Sequence, residues 1–367
     1  MPKLKEVMVV LEKLAPLYLA EKWDNVGLMV GDSEAEVNKV LCALDVNEAV
    51  VEEAIQSNVD CIISHHPFIF KPMKQLDFSS SQGRTIKQLI THNIAVYSMH
   101  TNYDIAWGGL NDYLAEGLKL QDLKVLSTTY EESFCKVVVY VPVSHVDAVR
   151  KVIIEENDAT IGQYKGCTFA TAGEGSFMPL EGSNPYIGQT SELSLVEEKT
   201  ISFMVPKSNV KKLIEAIKKV HPYEEMAYDV FQLENVKKTY GLGRYGKLKE
   251  AMPLGELLDQ IKAYFGIEHL RVSTKDSAQM INTVAICSGA GEEFIGKASQ
   301  VAQVYITGDC KFHPGQMAQS LGIVLVDVGH YVSESCGLVP IGEQIKGAFS
   351  QCEVIYSKVN GETLFIR

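Results

Sequence analysis

Between positions 38 and 100 the chain passes through three short stretches that are apolar at nearly every position: NKVLCALDV (38–46), VDCIISHH (59–66) and IAVYSMH (94–100). Between them, NEAVVEEAIQ and GRTIKQLITH place apolar residues every three or four positions. Short unbroken apolar runs suit strands covered on both faces, and the intervening period suits amphipathic helices, so this region predicts a sheet with helices on both sides. The grammar returns near the end of the chain in NTVAICSGAG (282–291), VYITGDCKFH (304–313) and GIVLVDVGH (322–330). The two regions therefore look like a duplication at the level of architecture.

The middle of the chain reads differently. FCKVVVYVPVS, TFATAGEGSF, VEEKTISFMVP and EMAYDVFQLE have strand character, while HVDAVRKVIIEEN and KSNVKKLIEAIKKV have helical character. Strand-helix-strand twice over is the order of a ferredoxin-like unit. The Gly, Ser and Pro cluster MPLEGSNPYIGQTSE (178–192) between the two repeats suits an exposed loop. The expected fold is α/β: two related αβα lobes, residues 1–128 and 237–367, forming one metal-binding domain interrupted by a ferredoxin-like α+β domain at 129–236.

Chemistry collects at the predicted strand ends. VDCIISHHP delivers adjacent His65 and His66; SMHTNYD carries His100 and Asp104 four residues apart; VGHYVSE repeats that spacing with His330 and Glu334. Superposed by motif, His100 falls on His330, Asp104 on Glu334, and Ser64-His65-His66-Pro67 near Thr307-Gly308-Asp309-Cys310. A lone His-His pair would pass for a polar turn. Imidazoles and carboxylates arriving together at three strand ends instead make a donor set for a pair of divalent cations, each of which takes several N or O ligands. Adjacent histidines leave a strand on opposite sides and so serve different ions, whereas a carboxylate four residues along a helical turn comes back to the histidine's side. Glu334, with two oxygens, suits a bridge. His100 reads either as a ligand or as a histidine just behind the ions that moves a proton. His313 in KFHP is a lesser candidate near the site, and His221 in VHPYEE belongs to the insert.

Composition narrows the class. A net charge of -12 without clustered Lys or Arg excludes general nucleic-acid binding. Eight cysteines occur singly with no Cys-x-x-Cys, which suggests neither a disulfide framework nor a thiolate zinc site. No apolar run is long enough for a membrane span, and MPKLKEVMVVLEKL has charges at helical spacing where a signal peptide would be unbroken, so a cytoplasmic protein is expected. GEEFIGK (291–297) has the spacing of a phosphate loop but continues with Ala298 in place of Ser or Thr, and its paired glutamates would repel phosphate. The SGAG turn (288–291) offers backbone amides to an anion beside the metals. EKWDNVGLMVG (21–31) reads as a polar, glycine-rich turn, either a plain connecting loop or one whose Trp23, Asp24 and Asn25 line a pocket, Trp23 by stacking and the polar pair by bonding a ligand's edge.

WDNVGLMVG, ISHHPFIF, HTNYD, the SGAG turn, TGDCKFH and GHYVSE, in that order, closely resemble the dinuclear-metal proteins known as GTP cyclohydrolase I type 2 homologues, the NGG-one-interacting-factor-like family, in its long bacterial form. The resemblance covers essentially the whole chain. It implies metal ligands at His65, His66, Asp104, His330 and Glu334, an insert similar to the PII and CutA domains, and a toroidal homohexamer built as a trimer of dimers. It also implies a metal-dependent hydrolase acting on a nucleotide. For ring opening of GTP, water would attack C8 while His100 donates a proton to the departing nitrogen. The same ligands serve a metal-handling protein that delivers an ion or metal cofactor, and a third reading is a regulatory scaffold whose insert binds an effector. His and carboxylate sites accept Zn, Fe, Mn, Co and Ni alike, so the two expected divalent ions have no assigned element.

Overall fold

The computed structural model describes residues 1–157 and 159–363, so the last four positions of the expected second lobe lie outside the described residues. Contacts divide the chain into two compact units, residues 1–130 with 240–367, and residues 131–239.

The first unit contains two sheets. One is ordered Gly27–Val30, Ala95–Ser98, Cys61–Ser64, Lys39–Ala43, Glu353–Tyr356, with the last four strands parallel and Gly27–Val30 antiparallel at the edge. The other runs from Arg271–Val272 through Val324–Asp327 and Val304–Thr307 to Met280–Ile286, the last three parallel, and then to residues 240–253 of the long strand Tyr228–Pro253. Successive strand residues face opposite ways, and the cores follow that alternation. Val40, Cys42, Ile63 and Tyr97 of the first sheet share one core with Val284, Ile306 and Val326 of the second. Their neighbours Leu41, Ile62 and Val96 pack beneath Val50, Val51 and Leu89. Ala285, Tyr305 and Leu325 pack beneath Ile295 and Ala318. Every central strand is thus buried on both faces, which is why each reads as a continuous apolar run.

The helices start and stop where local chemistry dictates. Asn47 accepts from Val50 N–H to open Glu48–Gln56, and Ser80 from Gly83 N–H to open Ser81–Thr91. Gly266 and Gly322, at φ 66° and 71°, end Leu254–Phe265 and Phe312–Leu321.

Two features depart from the sequence reading. Residues 27–30, expected within a turn, form an edge strand paired with Ala95–Ser98. Glu353–Tyr356, from the far end of the chain, closes the first sheet beside Lys39–Ala43, so the two sheets are not separate in sequence.

In the second unit, residues 134–142 pair antiparallel with Ser194–Pro206, which pairs antiparallel with Thr168–Phe177. Helices Val146–Glu156 and Val210–Lys218 cover Val137, Val139, Ile201 and Phe203 on one face. Among the described residues, no helix is long and apolar enough to cross a membrane.

Candidate metal centre

Every candidate side chain of the site stands just past the carboxyl end of a parallel strand or in the short helix that follows it. That is where an open α/β sheet leaves backbone and side chains free to converge on a ligand. His65 and His66 follow Cys61–Ser64, and His100 follows Ala95–Ser98. His330 follows Val324–Asp327 and opens helix His330–Ser335, which carries Glu334 one turn on; Asp104 sits likewise in helix Thr101–Ile105, its N–H bonded to His100 O at 3.1 Å.

Four imidazoles are fixed in the same manner. His65 Nδ1 lies 2.8 Å from Met99 O, His66 Nδ1 2.8 Å from Asp45 Oδ1, His100 Nδ1 2.9 Å from Asp24 Oδ1 and His330 Nδ1 2.8 Å from Asp309 Oδ2. A carbonyl or ionised carboxylate can only accept, so Nδ1 carries the hydrogen in each ring and, in the neutral ring, Nε2 keeps the lone pair. An acceptor behind Nδ1 is also how proteins orient histidines that bind metals.

The opposite nitrogens of His65, His66 and His330 converge on Glu334. Its Oε2 lies 2.9 Å from His66 Nε2 and 3.0 Å from His330 Nε2, and its Oε1 lies 3.7 Å from His65 Nε2, which is itself 3.8 Å from Asp104 Oδ1. His65 Nε2 and Glu334 Oε2 are buried and lack a hydrogen bond of proper geometry. Lone pairs and carboxylate oxygens this close repel unless positive charge lies between them. Two overlapping triads can hold that charge as an ion: His65, His66 and His100, and His66, His330 and Glu334, each with donor atoms within 4.8 Å of one another. Room for the carboxylate comes from Gly289, at φ 59°, where a Cβ would run into Glu334 Oε1.

Electrostatics express the same demand. Burial works against charge on His66, but Asp45 and Glu334 outweigh it and raise its pKa to about 10. Glu334 raises His330 to about 9, against burial and with help from Asp309. Burial also opposes the Glu334 carboxylate, yet the imidazoles around it, His65 first, hold its pKa well below the usual range. Burial pushes Asp104 up, an effect that His65 and a hydrogen bond from Ser288 Oγ at 3.1 Å partly offset.

The structure thus brings His65, His66, His100, Asp104, His330 and Glu334 into one site, and it departs from the sequence reading in three ways. His65 and His66, expected to serve different ions, place donor atoms in one triad with His100. Asp24 does not face a ligand; it binds His100, and it accepts from Thr101 N–H and Oγ1, while Asn25 donates to Ile69 O. Trp23 of that loop stays open, 59% exposed and edge-on to His100 at 6.1 Å. Three of the four SGAG amides are spent internally: Ser288, Gly289 and Gly291 donate to Asn111, Ser333 and Thr307. His313 lies exposed beside Gln316, and His221 bonds Tyr140 O within the second unit. The orienting carboxylates Asp45 and Asp309 were missed as such. Their signal, an acidic residue just past an apolar strand, is visible in LCALDV and VYITGD.

A cavity of about 600 Å³ opens on His66 and His330, with Tyr331, His269 and Arg271 in its wall. Arg271 is paired with Asp327 at 3.1 Å.

The model of the Duf34/NIF3 (NGG1p interacting factor 3) family matches residues 2–362. A Listeria monocytogenes protein named GTP cyclohydrolase 1 type 2 homolog is 39% identical over 360 residues, 97% of this chain and 96% of its own. A Bacillus subtilis protein of the same name is 40% identical over 331 residues, 90% and 88% of the two chains. Among solved structures, a Bacillus cereus protein related to NIF3 superposes with a TM-score of 0.89 at 38% identity, covering 100% of this chain and 99% of that one.

Proposed function

The chain belongs to the DUF34/NIF3 family, and from that premise and the geometry of its strand ends we propose that it binds two divalent metal ions and hydrolyses a nucleotide substrate with them. The buried Nε2 of His65, without a hydrogen-bond partner, and the buried Glu334 carboxylate, crowded by the Nε2 atoms of three imidazoles whose Nδ1 atoms are already engaged, carry the metal reading. His65, His66, Asp104, His330 and Glu334 would hold the ions, with Glu334 Oε1 facing His65 and its Oε2 facing His66 and His330. Two such ions supply Lewis acidity and a water ionised near neutral pH. His100 presents its Nε2 to the same space with Asp24 behind it, equipped to complete the coordination of one ion or to pass a proton to a leaving nitrogen. The cavity beside His66 and His330 has the size of a small-molecule site. Carboxylates dominate its wall and Arg271 is paired with Asp327, so attraction for an anionic substrate would have to come from the ions themselves. The nucleotide is suggested by the relatives' name.

The test has two arms: elemental analysis of protein purified without added metal, then turnover of a nucleotide panel with the metal restored. Two ions per chain and release of an opened base or of phosphate are expected. Metal without turnover of any nucleotide moves the reading to metal handling, and protein that takes up no divalent metal removes both.

The second unit, with strand-helix-strand order twice over, is read as a ferredoxin-like insert of the PII and CutA kind. The whole is read as a cytoplasmic homohexamer, a trimer of dimers. Tyr164, Phe169, Leu180 and Leu195 of the insert are 60–74% exposed, more apolar surface than a lone unit retains at no cost. Sedimentation velocity at micromolar protein should give the mass of six chains; a monomer would sink the assembly.

A further inference from the structure

The second unit has a cavity of its own, about 440 Å³, that the metal chemistry does not use. Four aromatic residues line it: Tyr140, Phe177 from strand Thr168–Phe177, Tyr186 from the loop 178–192, and Tyr223. Tyr223 lies 5.9 Å from Phe177 and 6.3 Å from Tyr186 between ring centroids, tilted by 60° and 48°, so the rings form walls and not one stacked pile.

Carboxylates complete the lining. Glu198 Oε1 accepts from Tyr223 Oη at 2.8 Å, and its Oε2 rests against Gly175, where a Cβ would collide with it. Glu224 accepts from Asn184 N–H at 3.0 Å and so ties down the loop that carries Tyr186. Glu225 lies in the same wall, and among the described residues no Lys or Arg lines the cavity. Behind the rings, His221 Nε2 bonds Tyr140 O at 2.9 Å and its Nδ1 accepts from Tyr223 N–H, which fixes the segment bearing that ring. Burial lowers the pKa of His221, so it adds no positive charge at neutral pH.

These surfaces select by charge. Aromatic faces carry the negative side of the ring quadrupole and attract cations, most of all when a carboxylate stands beside them. Three carboxylates with no basic side chain repel phosphates, and rings offer no lone pairs to a small metal ion. Hydroxyls and carboxylates at the rim can hydrogen-bond an N–H donor. We infer that the inserted unit binds a small organic cation, an alkylammonium or guanidinium compound, with Phe177, Tyr186 and Tyr223 packed on it and Glu198 as its counter-ion. The volume lies within the range of small-molecule sites.

The probes are tetramethylammonium, choline and agmatine, with adenosine monophosphate as the anionic control, titrated into the full-length protein by calorimetry and saturation-transfer NMR. At least one cation is expected to bind saturably with a dissociation constant below about 1 mM, a free energy near 4 kcal/mol, and the control is expected not to bind this unit. Glu198→Gln and Tyr186→Ala should each weaken the cation by about 10-fold, with far-UV circular dichroism and metal content unchanged. Tyr186 is an exposed loop residue, so its variant keeps the test alive if Glu198→Gln does not fold. Failure of all three cations to bind, or equal binding to parent and both variants, overturns the inference. Metal content measured on the same samples separates that failure from failure of the metal site.

Discussion

Past strand Cys61–Ser64 the first sheet presents two imidazoles; past the matching strand Val304–Thr307 the second presents Gly308 and Asp309. The backbones around them correspond: Met99 N–H bonds Ser64 O at 2.8 Å in one half and Val328 N–H bonds Thr307 O at 2.9 Å in the other. What differs is clearance. A Cβ at Gly308 would stand 2.7 Å from His330 N and 2.9 Å from Gly289 O, so the position of His65 cannot carry a side chain in the second half. Asp309, in place of His66, turns instead to His330 Nδ1 and orients it. The first half thus gives three imidazoles and Asp104, and the second gives one imidazole and the carboxylate around which the others gather. Similar scaffolds yield unequal chemistry because one lets side chains in where the other brings backbone close.

The comparison breaks most visibly at Glu334. If Glu334, whose Oε1 approaches His65 and whose Oε2 approaches His66 and His330, serves both ions, Glu334→Ala should lose both, whereas His65→Ala, which belongs to one triad, should lose chiefly one. Elemental analysis finding two metals per chain in Glu334→Ala would end the bridging assignment. Asp104→Ala should resemble His65→Ala, since its carboxylate approaches that ring at 3.8 Å.

Gly308 tests the clearance argument directly. Gly308→Ala should cost about 1–3 kcal/mol of stability, as overpacking does, and should displace His330 enough to reduce metal occupancy. Thermal unfolding and metal content indistinguishable from the parent would show that the second half excludes side chains for some other reason.

Asp45 and Asp309 sharpen the comparison further, because they stand behind histidines from opposite halves. Each change to Ala leaves the ligands in place and should weaken metal binding by about 10–100-fold. Competition with a chelator measures this, and an unequal effect would show which half the ions depend on more.

Much of this was legible in the chain. His65, His66, His100, Asp104, His330 and Glu334 stand out because both halves place them after apolar runs, and those runs are unbroken because alternate residues feed cores on opposite faces of one sheet. The edge strand Gly27–Val30 was not legible: it is only four residues long, with one buried, and its polar, glycine-rich flank mimics a turn. Glu353–Tyr356 was hidden because its partner Lys39–Ala43 is more than three hundred residues away, a pairing no local pattern encodes. The role of Asp24 was inverted. WDN reads as a ligand-facing loop until the structure shows its carboxylate turned inward to His100 and Thr101.

The smallest expected effect concerns protons. Without metal, His66 with a pKa of about 10 and His330 at about 9 stay protonated at neutral pH, their charge balanced by Glu334, Asp45 and Asp309. In the unfolded chain both titrate near the ordinary imidazole value of about 6.5. A folded pKa above the unfolded one adds stability that is full below about 6.5 and is lost as pH rises through about 9 to 10. The metal-free protein should therefore melt at a lower temperature at pH 10 than at pH 7, while the metal-loaded protein, whose imidazoles are already deprotonated, should show less of that decline. Ions must displace these protons, so metal binding should release protons at pH 7 and tighten as pH rises toward 9. Calorimetry in two buffers of different ionisation enthalpy measures the release. Proton uptake, or affinity that falls over this range, would mean that the charge balancing Glu334 does not come from His66 and His330, and that the two halves do not meet at one carboxylate.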